Sequence, residues 1–199
     1  MAKGPRYSKP LRRRSEGKTN YHRRLRLIKS RKLRAIIRAS NNNIIVQFID
    51  SKFGGDKVKT AANSGELVKK FDWNVNTGNM PAAYLTGLLA GYRAKKSGIK
   101  EAILDLGIFY HQNRVLAAFK GIIDSGIEIP YREEFFSDSL EKRINGSHIE
   151  NYAKLLKKED SENYQKIFSG YLKKENINPE RFTEIFKKSL QKIESQVKS

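Results

Sequence analysis

The stretch "LRAIIRASNNNIIVQFID", Leu33 to Asp50, decides the fold because it predicts a β-hairpin where apolar sequence first becomes frequent. In its first half small or apolar residues alternate with arginine, as in a strand with one buried face: Leu33, Ala35, Ile37 and Ala39 against Arg34 and Arg38. Its second half, Ile44 to Asp50, is rich in β-branched residues. The three asparagines between the halves tolerate positive φ, so they suit the turn of a hairpin.

The sequence after the hairpin predicts a third strand and then a strand-helix-strand unit. Gly54-Gly55 marks a turn, and a weaker strand at Lys57–Ala62 completes an antiparallel meander. The elements predicted beyond it are a helix capped by Ser64 and running to Phe71, a helix over Met80–Gly98 preceded by Asn79, a buried strand at Ala102–Leu106, a helix over Arg114–Ser125 and a short strand at Ile127–Ile129. Strand, helix and strand in succession imply a right-handed crossover onto the sheet.

These elements predict an α/β (α+β) fold in which helices cover a mixed sheet made of an antiparallel meander plus a βαβ unit. Beyond Pro130 the pattern is helical, with a capping box formed by Ser147 and Glu150 and a last helix opened by Asn178-Pro179. We therefore expect a basic N-terminal arm with a short helix (1–32), an α/β core domain (33–130) and a helical C-terminal extension (131–199). The extension should pack on the core or on a neighbouring protein.

Positive charge is concentrated at the N-terminus. The chain of 199 residues has 40 Lys and Arg against 21 Asp and Glu, a formal net charge of +19. Residues 1–38 contain 15 of these cations and one acid, Glu16, so they carry 15 − 1 = +14. The remainder carries 25 − 20 = +5 and is nearly balanced. A basic arm on a nearly balanced domain implies a polyanionic partner.

The arm is expected to be extended and disordered from Met1 to Gly17 when free, because it contains almost no apolar residue. Thr19 or Asn20 then caps a short helix that should dock through an apolar stripe and present arginines outward. The stripe residues share one helical face: Tyr21, Leu25 and Ile28.

The composition of the arm favours folded RNA over other polyanions. Tyr7 and Tyr21 stand among arginines, and a guanidinium binds phosphate bidentately and stacks on bases, while tyrosine adds a stacking face. A generic charge run or a localisation signal is the simpler alternative, and the tyrosines argue against it. An anionic membrane surface is a further alternative, but Pro5, Pro10 and the scarcity of apolar residues before Tyr21 argue against an interfacial helix.

The sequence lacks the motifs and residue spacings that are typical of most catalytic and metal-binding sites. Cysteine is absent, and His22, His111 and His148 lie far apart with no metal-type spacing. Phosphate-loop, dinucleotide and nucleophile-elbow motifs are missing, as is an apolar run of roughly 20 residues or a secretory signal. We therefore expect no cofactor, no metal, no membrane and no small-molecule substrate.

One enzymatic alternative stays open. Asp50 and Asp105 both end predicted strands, and a Mg²⁺-dependent nuclease needs at least two carboxylates to hold its metal. No third acid falls in a supporting place, and aspartate is common where strands end. The alternatives are thus a non-enzymatic RNA-binding protein and a nuclease that uses Asp50 and Asp105.

Several blocks of the sequence resemble one known family. "GPRYSKPLRRRSEGKTNYHRRLRLIKS" (Gly4–Ser30) and "TGNMPAAYLTGLLAGYRAKKSG" (Thr77–Gly98) resemble the archaeal branch of a universal large-subunit ribosomal protein family, the eighteenth in the universal numbering. "RAIIRASNNNIIVQFID" is similar to its hairpin, "TAANSGEL" to the turn that follows, and "YHQNRVLAAFKGIIDSGIEIP" (Tyr110–Pro130) to its loop-helix segment. The resemblance covers Gly4 to Pro130, and beyond it only length and helical character match.

The resemblance implies a ribonuclease-H-like layer arrangement and a structural, non-enzymatic role in the cytoplasmic large ribosomal subunit. It implies binding to 5S rRNA, attachment of 5S rRNA to 23S rRNA in the central protuberance, and contact with neighbouring ribosomal proteins. The family's RNA contacts carry over onto Arg6, Tyr7, Lys9, Arg12, Arg13, Arg14, Tyr21, His22, Arg23, Arg24 and Arg26, and onto Tyr110, His111 and Arg114 in a second loop. The other basic residues of the region are predicted to bind RNA through their charge: Lys18, Lys29, Arg31, Lys32 and Arg34.

Overall fold

A four-stranded mixed sheet forms the centre of the protein. The computed structural model describes residues 4–108, 112–172 and 177–198. Its strands are β1 (Arg34–Ala39), β2 (Ile44–Lys52), β3 (Gly55–Asn63) and β4 (Ile103–Asp105). The sheet order is β3-β2-β1-β4, with β1, β2 and β3 antiparallel and β4 parallel to β1. The predicted α/β class and the antiparallel meander are confirmed.

Helices precede, interrupt and follow the sheet strands. The arm holds α1 (Arg12–Ser15) and α2 (Tyr21–Lys29), and the middle of the chain holds α3 (Ser64–Lys70), α4 (Met80–Lys96) and α5 (Asn113–Asp124). The C-terminal helices are α6 (Asp138–Ile144), α7 (Ser147–Glu159), α8 (Ser161–Ile167), α9 (Ser169–Leu172) and α10 (Phe182–Lys198), with 3₁₀ turns at Glu133–Phe135 and Pro179–Arg181. Among the helices of the described ranges, none has both the length and the apolar content needed to cross a bilayer.

The hairpin follows the alternation of its sequence. Ala35 pairs with Phe48 and Ile37 with Val46, and all four side chains are fully buried. They lie on the face of the sheet that α4 and α5 cover. The amide of Ser40 donates to the carbonyl of Asn43 at 2.8 Å and closes the turn. The other face carries Arg34 and Arg38, because successive side chains in a strand point to opposite sides.

The helices α4 and α5 pack with their backbones almost in contact. Gly87 of α4 faces the backbone of Ala118, and Gly121 of α5 faces the carbonyl of Tyr84. A Cβ at either position would overlap the facing carbonyl oxygen. The glycines therefore let α5 approach α4 more closely than any side chain would permit.

The last helix packs on the core. The ring of Phe182 meets Trp73 edge-on with centroids 5.7 Å apart, and Phe186 lies 6.1 Å from Tyr84. The hydroxyl of Ser189 donates to the carbonyl of Phe71 at 2.9 Å. The C-terminal helices thus contribute apolar side chains to the same core cluster as the sheet.

The predicted strand at Ile127–Ile129 and the predicted cap of α3 are both wrong. Ile127–Ile129 is not a strand: Glu128 forms one isolated parallel bridge with Glu101, and Pro130 then offers no amide hydrogen to extend the ladder. The cap of α3 is Asn63, which forms the capping box with Glu66. Ser64 instead accepts a hydrogen bond from the amide of Ile44.

The predicted capping box of Ser147 and Glu150 is also absent. The cap of α7 is Gly146, which has a φ of 80° and no side chain to accept a bond. The Glu150 carboxylate instead accepts from the amide (3.2 Å) and hydroxyl (2.5 Å) of Thr183 at the start of α10. Hydrogen bonds from Lys154 and Thr183 lower the pKa of Glu150 to about 2, so this carboxylate joins α7 to α10 as an anion.

Substitution of Gly87 by alanine tests the close approach of α4 and α5. Gly87→Ala should lower the free energy of unfolding by about 1–3 kcal/mol, because the added methyl group must push the two helices apart. Urea denaturation followed by circular dichroism measures the change. Gly170→Ala is the control, because that site in α9 has open space, and it should be neutral or slightly stabilising. Equal effects of the two substitutions would contradict the packing argument.

Candidate nucleic-acid interface

The described part of the arm begins with exposed cations. Residues 4–18 are exposed throughout, and they are not wholly extended as predicted, since Arg12–Ser15 form the single turn α1. The side chain of Arg13 donates from Nε to the hydroxyl of Thr19 at 2.9 Å. Thr19 then leads into Asn20, whose side chain accepts from the amide of Arg23 and caps α2. The predicted cap is confirmed at Asn20.

Arginines bind the helix α2 to the sheet, and the predicted apolar stripe is covered only at Tyr21 and Ile28, which are half-buried. Leu25 is 53% exposed, so the stripe prediction is wrong at that residue. Arg24 donates from Nη2 to both carboxylate oxygens of Asp56, at 2.8 and 2.9 Å. Arg23 donates to the carbonyl of Gly107 at 3.4 Å. Because the acceptors Asp56 and Gly107 lie beneath α2, these contacts turn Arg23 and Arg24 inward, while Leu25 stays in solvent.

A buried arginine lies beneath this contact. Arg34 of β1 is 1% exposed, and its guanidinium donates to Asp105 (2.7 Å), Asp56 (2.7 Å) and the hydroxyl of Ser51 (2.9 Å). These partners lie on β4, β3 and β2. One side chain therefore links all four strands on this face, and its partner Asp56 also holds α2.

The close packing of charged groups shifts the pKa values of Asp56 and Arg38. Burial by itself would raise the pKa of Asp56, but the hydrogen bonds and positive charge of Arg34, and then of Arg24, lower it below its ordinary value. Burial lowers the pKa of the Arg38 guanidinium; Asp105 opposes this change, while Arg34 and Arg13 add to it. Asp56 is thus held ionised, and Arg38 lies among cations in a partly desolvated position.

A cationic cleft opens between the arm and the sheet beside this network. We call it the Arg38 cleft, and it is lined by Arg13, Lys18, Thr19, Asn20, Arg23, Arg24, Arg38, Asp105, Gly107 and Ile108. Five of these residues are basic and one is acidic, so the formal charge of the lining is 5 − 1 = +4. Such a surface attracts an anion rather than an apolar ligand.

Most of the predicted RNA-binding residues lie where a ligand can reach them. The exposed ones are Arg6, Tyr7, Lys9, Arg12, Arg13, Arg14, Lys18, His22, Arg26, Lys29, Arg31 and Lys32. Tyr21, Arg23, Arg24 and Arg114 are half-buried, while Tyr110 and His111 lie outside the described residues. The arm, with α2, supplies four of the five cations that line the Arg38 cleft, and β1 supplies Arg38. Lys29, Arg31 and Lys32 lie at the far end of α2 and beyond it.

One predicted contact is wrong, and a second predicted residue also has a structural role. Arg34 is wrong as an RNA contact, because its guanidinium is buried and bound to Asp56 and Asp105. Arg114 uses Nη1 internally, donating to the carbonyls of Ser40 (2.7 Å) and Gly78 (3.1 Å). It thereby fastens the turn of the hairpin to the loop before α4.

The pair of aspartates proposed for a nuclease does not form a site. Arg34 pairs with Ile49 across β2, and Ile36 pairs with Asp105 across β4. Strand alternation therefore puts Asp105 on the Arg34 face and Asp50 on the opposite face. Asp105 is buried and bound by Arg34 and the amide of Gly107. Within the described ranges, no three His, Cys, Asp or Glu side chains cluster as a metal site requires.

Arg38 is the cleft residue that the sequence reasoning missed. Its Nη1 donates to the carbonyls of Ile37 (2.9 Å) and Asp105 (3.2 Å), which points the guanidinium into the cleft. Arg38 shares a strand face with Arg34, and the alternation of β1 was the available signal. That signal could not distinguish the buried arginine from the one at the surface.

Fold and cleft together define an α/β protein with a cationic surface suited to a polyanion. Residues 5–103 match the family model of ribosomal large subunit proteins 60S L5 and 50S L18. The large ribosomal subunit protein uL18 of Aeropyrum pernix is 50% identical over 182 residues, covering 90% of this chain and 84% of that protein. The protein of the same name from Korarchaeum cryptofilum is 46% identical over 195 residues, covering 97% of each chain. The chain belongs to this family of large-subunit ribosomal proteins.

Replacement of Asp56 tests the joint between the arm and the sheet. Asp56→Asn should lower the free energy of unfolding by about 1–3 kcal/mol, below the ~3–5 kcal/mol of a fully buried pair, since the Asp56 side chain is 24% exposed. Urea denaturation of the two proteins at neutral pH measures the difference. Asp50→Asn is a matched control in the same sheet. The nearest cations of Asp50, Lys52 and Lys59, lie 4.0 Å away in partly exposed pairs, so this substitution should change the free energy of unfolding by less than about 0.5 kcal/mol.

The pH dependence of this difference follows from the lowered pKa of Asp56. A carboxylate whose pKa is lower when folded stabilises the protein fully above its unfolded value of about 4. That contribution is lost as the pH falls through the folded pKa. The gap between wild type and Asp56→Asn should therefore be constant near neutrality and shrink below about pH 4. A gap that is unchanged at low pH would show that the charge of Asp56 is not what stabilises the joint.

Proposed function

We propose that this protein is a non-enzymatic structural constituent of the large ribosomal subunit that binds 5S rRNA and helps to attach it to 23S rRNA in the central protuberance. The observation that carries the proposal is the charge of the arm: residues 1–32 carry 13 − 1 = +12 of the net charge of +19. Arg24 fixes the base of this arm to the sheet. The names of the two relatives support a place in the large ribosomal subunit. The blocks that resemble the 5S-rRNA-binding family support the choice of RNA.

Each part of the chain has a distinct role in this proposal. The arm (1–32) supplies phosphate and stacking contacts, the α/β core (33–130) fixes the direction in which the arm leaves, and the C-terminal extension (131–199) meets neighbouring ribosomal proteins. We assign the core a ribonuclease-H-like layer arrangement. Exposed apolar side chains on the extension support its role in protein contacts: Tyr152, Leu155, Ile167 and Leu172.

The arm binds RNA through charge first and through stacking second. Lysine and arginine neutralise phosphates and release counterions, which makes binding depend on salt. Stacking on unpaired bases by Tyr7 and the arginines adds selectivity for folded RNA. The residues assigned to these contacts are the predicted set without Arg34. Tyr110 and His111 contribute from the second loop.

Neutralising the arm tests the proposal. Five substitutions to glutamine, at Arg6, Lys9, Arg12, Arg13 and Arg14, should weaken binding to 5S rRNA. They should also make the slope of log K against log salt shallower by up to about 3.5–4.5, because each phosphate that is no longer neutralised removes ~0.7–0.9 from its magnitude. Gel-shift titrations over a range of salt concentrations measure both quantities. Circular dichroism should show an intact fold, since all five side chains are exposed.

The control variant removes the same charge from the C-terminal helices. It replaces five exposed cations by glutamine: Lys142, Arg143, Lys158, Lys166 and Lys187. This variant should retain the affinity and most of the salt slope of the wild type. If the slope falls equally in both variants, binding follows net charge alone and the proposed role of the arm is wrong.

Substitution of Tyr7 tests the stacking contact separately. Tyr7→Ala leaves the charge unchanged and should weaken 5S rRNA binding by about 1–3 kcal/mol, with no change in salt slope. Tyr152→Ala is the matched control, because its side chain is 48% exposed against 49% for Tyr7 and lies on α7. Wild-type affinity in Tyr7→Ala would mean that no base stacks on this ring.

A further inference from the structure

The floor of the Arg38 cleft is shaped around one guanidinium group. Gly107 has a φ of 58°, and a Cβ added there would lie 3.0 Å from Cζ, Nη1 and Nη2 of Arg38 alike. Because the added Cβ would be equally far from all three guanidinium atoms, it would lie above the guanidinium plane and not at its edge. The face of the guanidinium group therefore packs against Gly107. The side chain is then held in one orientation by the carbonyls of Ile37 and Asp105.

The acids near the cleft are already paired with cations of the protein, and on the arm Glu16 pairs with Lys18 at 2.8 Å, where both side chains are exposed. Asp105 binds Arg34 at 2.7 Å, whereas its nearest approach to Nη2 of Arg38 is 4.0 Å. Asp56 is bound by Arg24 and Arg34. The sheet therefore supplies no carboxylate within hydrogen-bond distance of Nη2 of Arg38. Burial lowers the pKa of Arg38 and the neighbouring cations add to this, so the charge is destabilised although Asp105 partly opposes the change. An anion in the cleft would relieve that cost.

The cations around the cleft come from separate segments of the chain. Arg13 and Lys18 lie on the arm, Arg23 on α2 and Arg38 on β1. The Thr19 hydroxyl fixes Arg13, and the Gly107 carbonyl contacts Arg23. These contacts bring the cations to one cleft before any ligand arrives, so a small tetrahedral anion can be held by several of them at once.

We propose that the Arg38 cleft binds one backbone phosphate of the RNA, gripped by Arg38 from the sheet and by Lys18 from the arm. This inference rests on the proposed function and adds to it a site in the core domain. The phosphate crosslinks arm and sheet, so it fixes the direction of the arm at the moment of binding. Inorganic phosphate shares the chemistry of this ligand, and a titration of the free protein and of its RNA complex distinguishes the two sources.

Salt slopes of three variants test whether two cations share one phosphate. We expect Arg38→Gln and Lys18→Gln each to make the slope of log K against log salt for 5S rRNA shallower by up to about 0.7–0.9, the value for one neutralised phosphate. The double variant should show about the same total decrease, because both side chains hold the same phosphate. Arg132→Gln, an exposed arginine outside the cleft, is the control and should keep the wild-type slope.

Three results would overturn the phosphate site. A slope for Arg38→Gln equal to that of Arg132→Gln would show that Arg38 holds no phosphate. A decrease about twice as large in the double variant would show that the two cations bind separate phosphates. In both cases the arm variant with five glutamines would still bind weakly, so the proposed function would stand. If the arm variant also bound normally, both proposals would fall.

A measurement on the wild-type protein decides the matter if Arg38→Gln does not fold. Inorganic phosphate is titrated against chloride at constant ionic strength, and the amide resonance of Gly107 is followed by NMR. We expect a saturable shift with phosphate that saturating 5S rRNA abolishes. No shift would overturn the site. A shift that persists in the RNA complex would assign the cleft to free anions instead of the RNA backbone.

Discussion

The buried guanidinium of Arg34 is the interaction on which the rest of the structure depends. A charge with 1% exposure is tolerated only when its hydrogen-bond donors are satisfied, and here two carboxylates and a hydroxyl satisfy them. Its partners come from the three other strands, so the register of the whole sheet decides whether this charge is paired. One of them, Asp56, also accepts from Arg24 of α2. The ion pair that stabilises the sheet is therefore the one that positions the arm.

This network gives the sheet two faces with different chemistry. On one face the apolar residues of β1 and β2 pack under α4 and α5, and the glycines Gly87 and Gly121 let those helices come close. The other face is held by ion pairs, and α2 lies over it through Arg23 and Arg24. An arm anchored at its base loses less conformational entropy on binding than a wholly free one, because part of the ordering is complete beforehand.

The sequence could predict what is local and could not predict what is paired at a distance. The hairpin, the meander and α4 follow from period, asparagine and glycine signals that lie within the elements themselves. Arg34 is different: its alternation with apolar residues is the pattern of a solvent-facing side chain, and its partners lie 22 and 71 residues further on. The prediction for Leu25 is wrong for the same reason, since helical spacing indicates an apolar stripe but does not show that Asp56 and Gly107 lie where Arg24 and Arg23 can bind them. The role of Arg38 likewise depends on a distant segment, because the loop at Gly107 packs against its guanidinium.

The buried Arg34 also affects the charge of the RNA-binding surface, although its side chain does not reach that surface. Asp56 and Asp105 lie beneath the arm, and two unpaired carboxylates there would repel a phosphate over the few ångströms at which charges interact strongly. Arg34 and Arg24 neutralise them inside the protein, so the sheet does not cancel the charge that the arm brings to the cleft. A buried cation without an RNA contact thereby favours RNA binding, through its effect on its acidic neighbours. The positive charge of the interface thus depends on a core residue as well as on the arm that presents it.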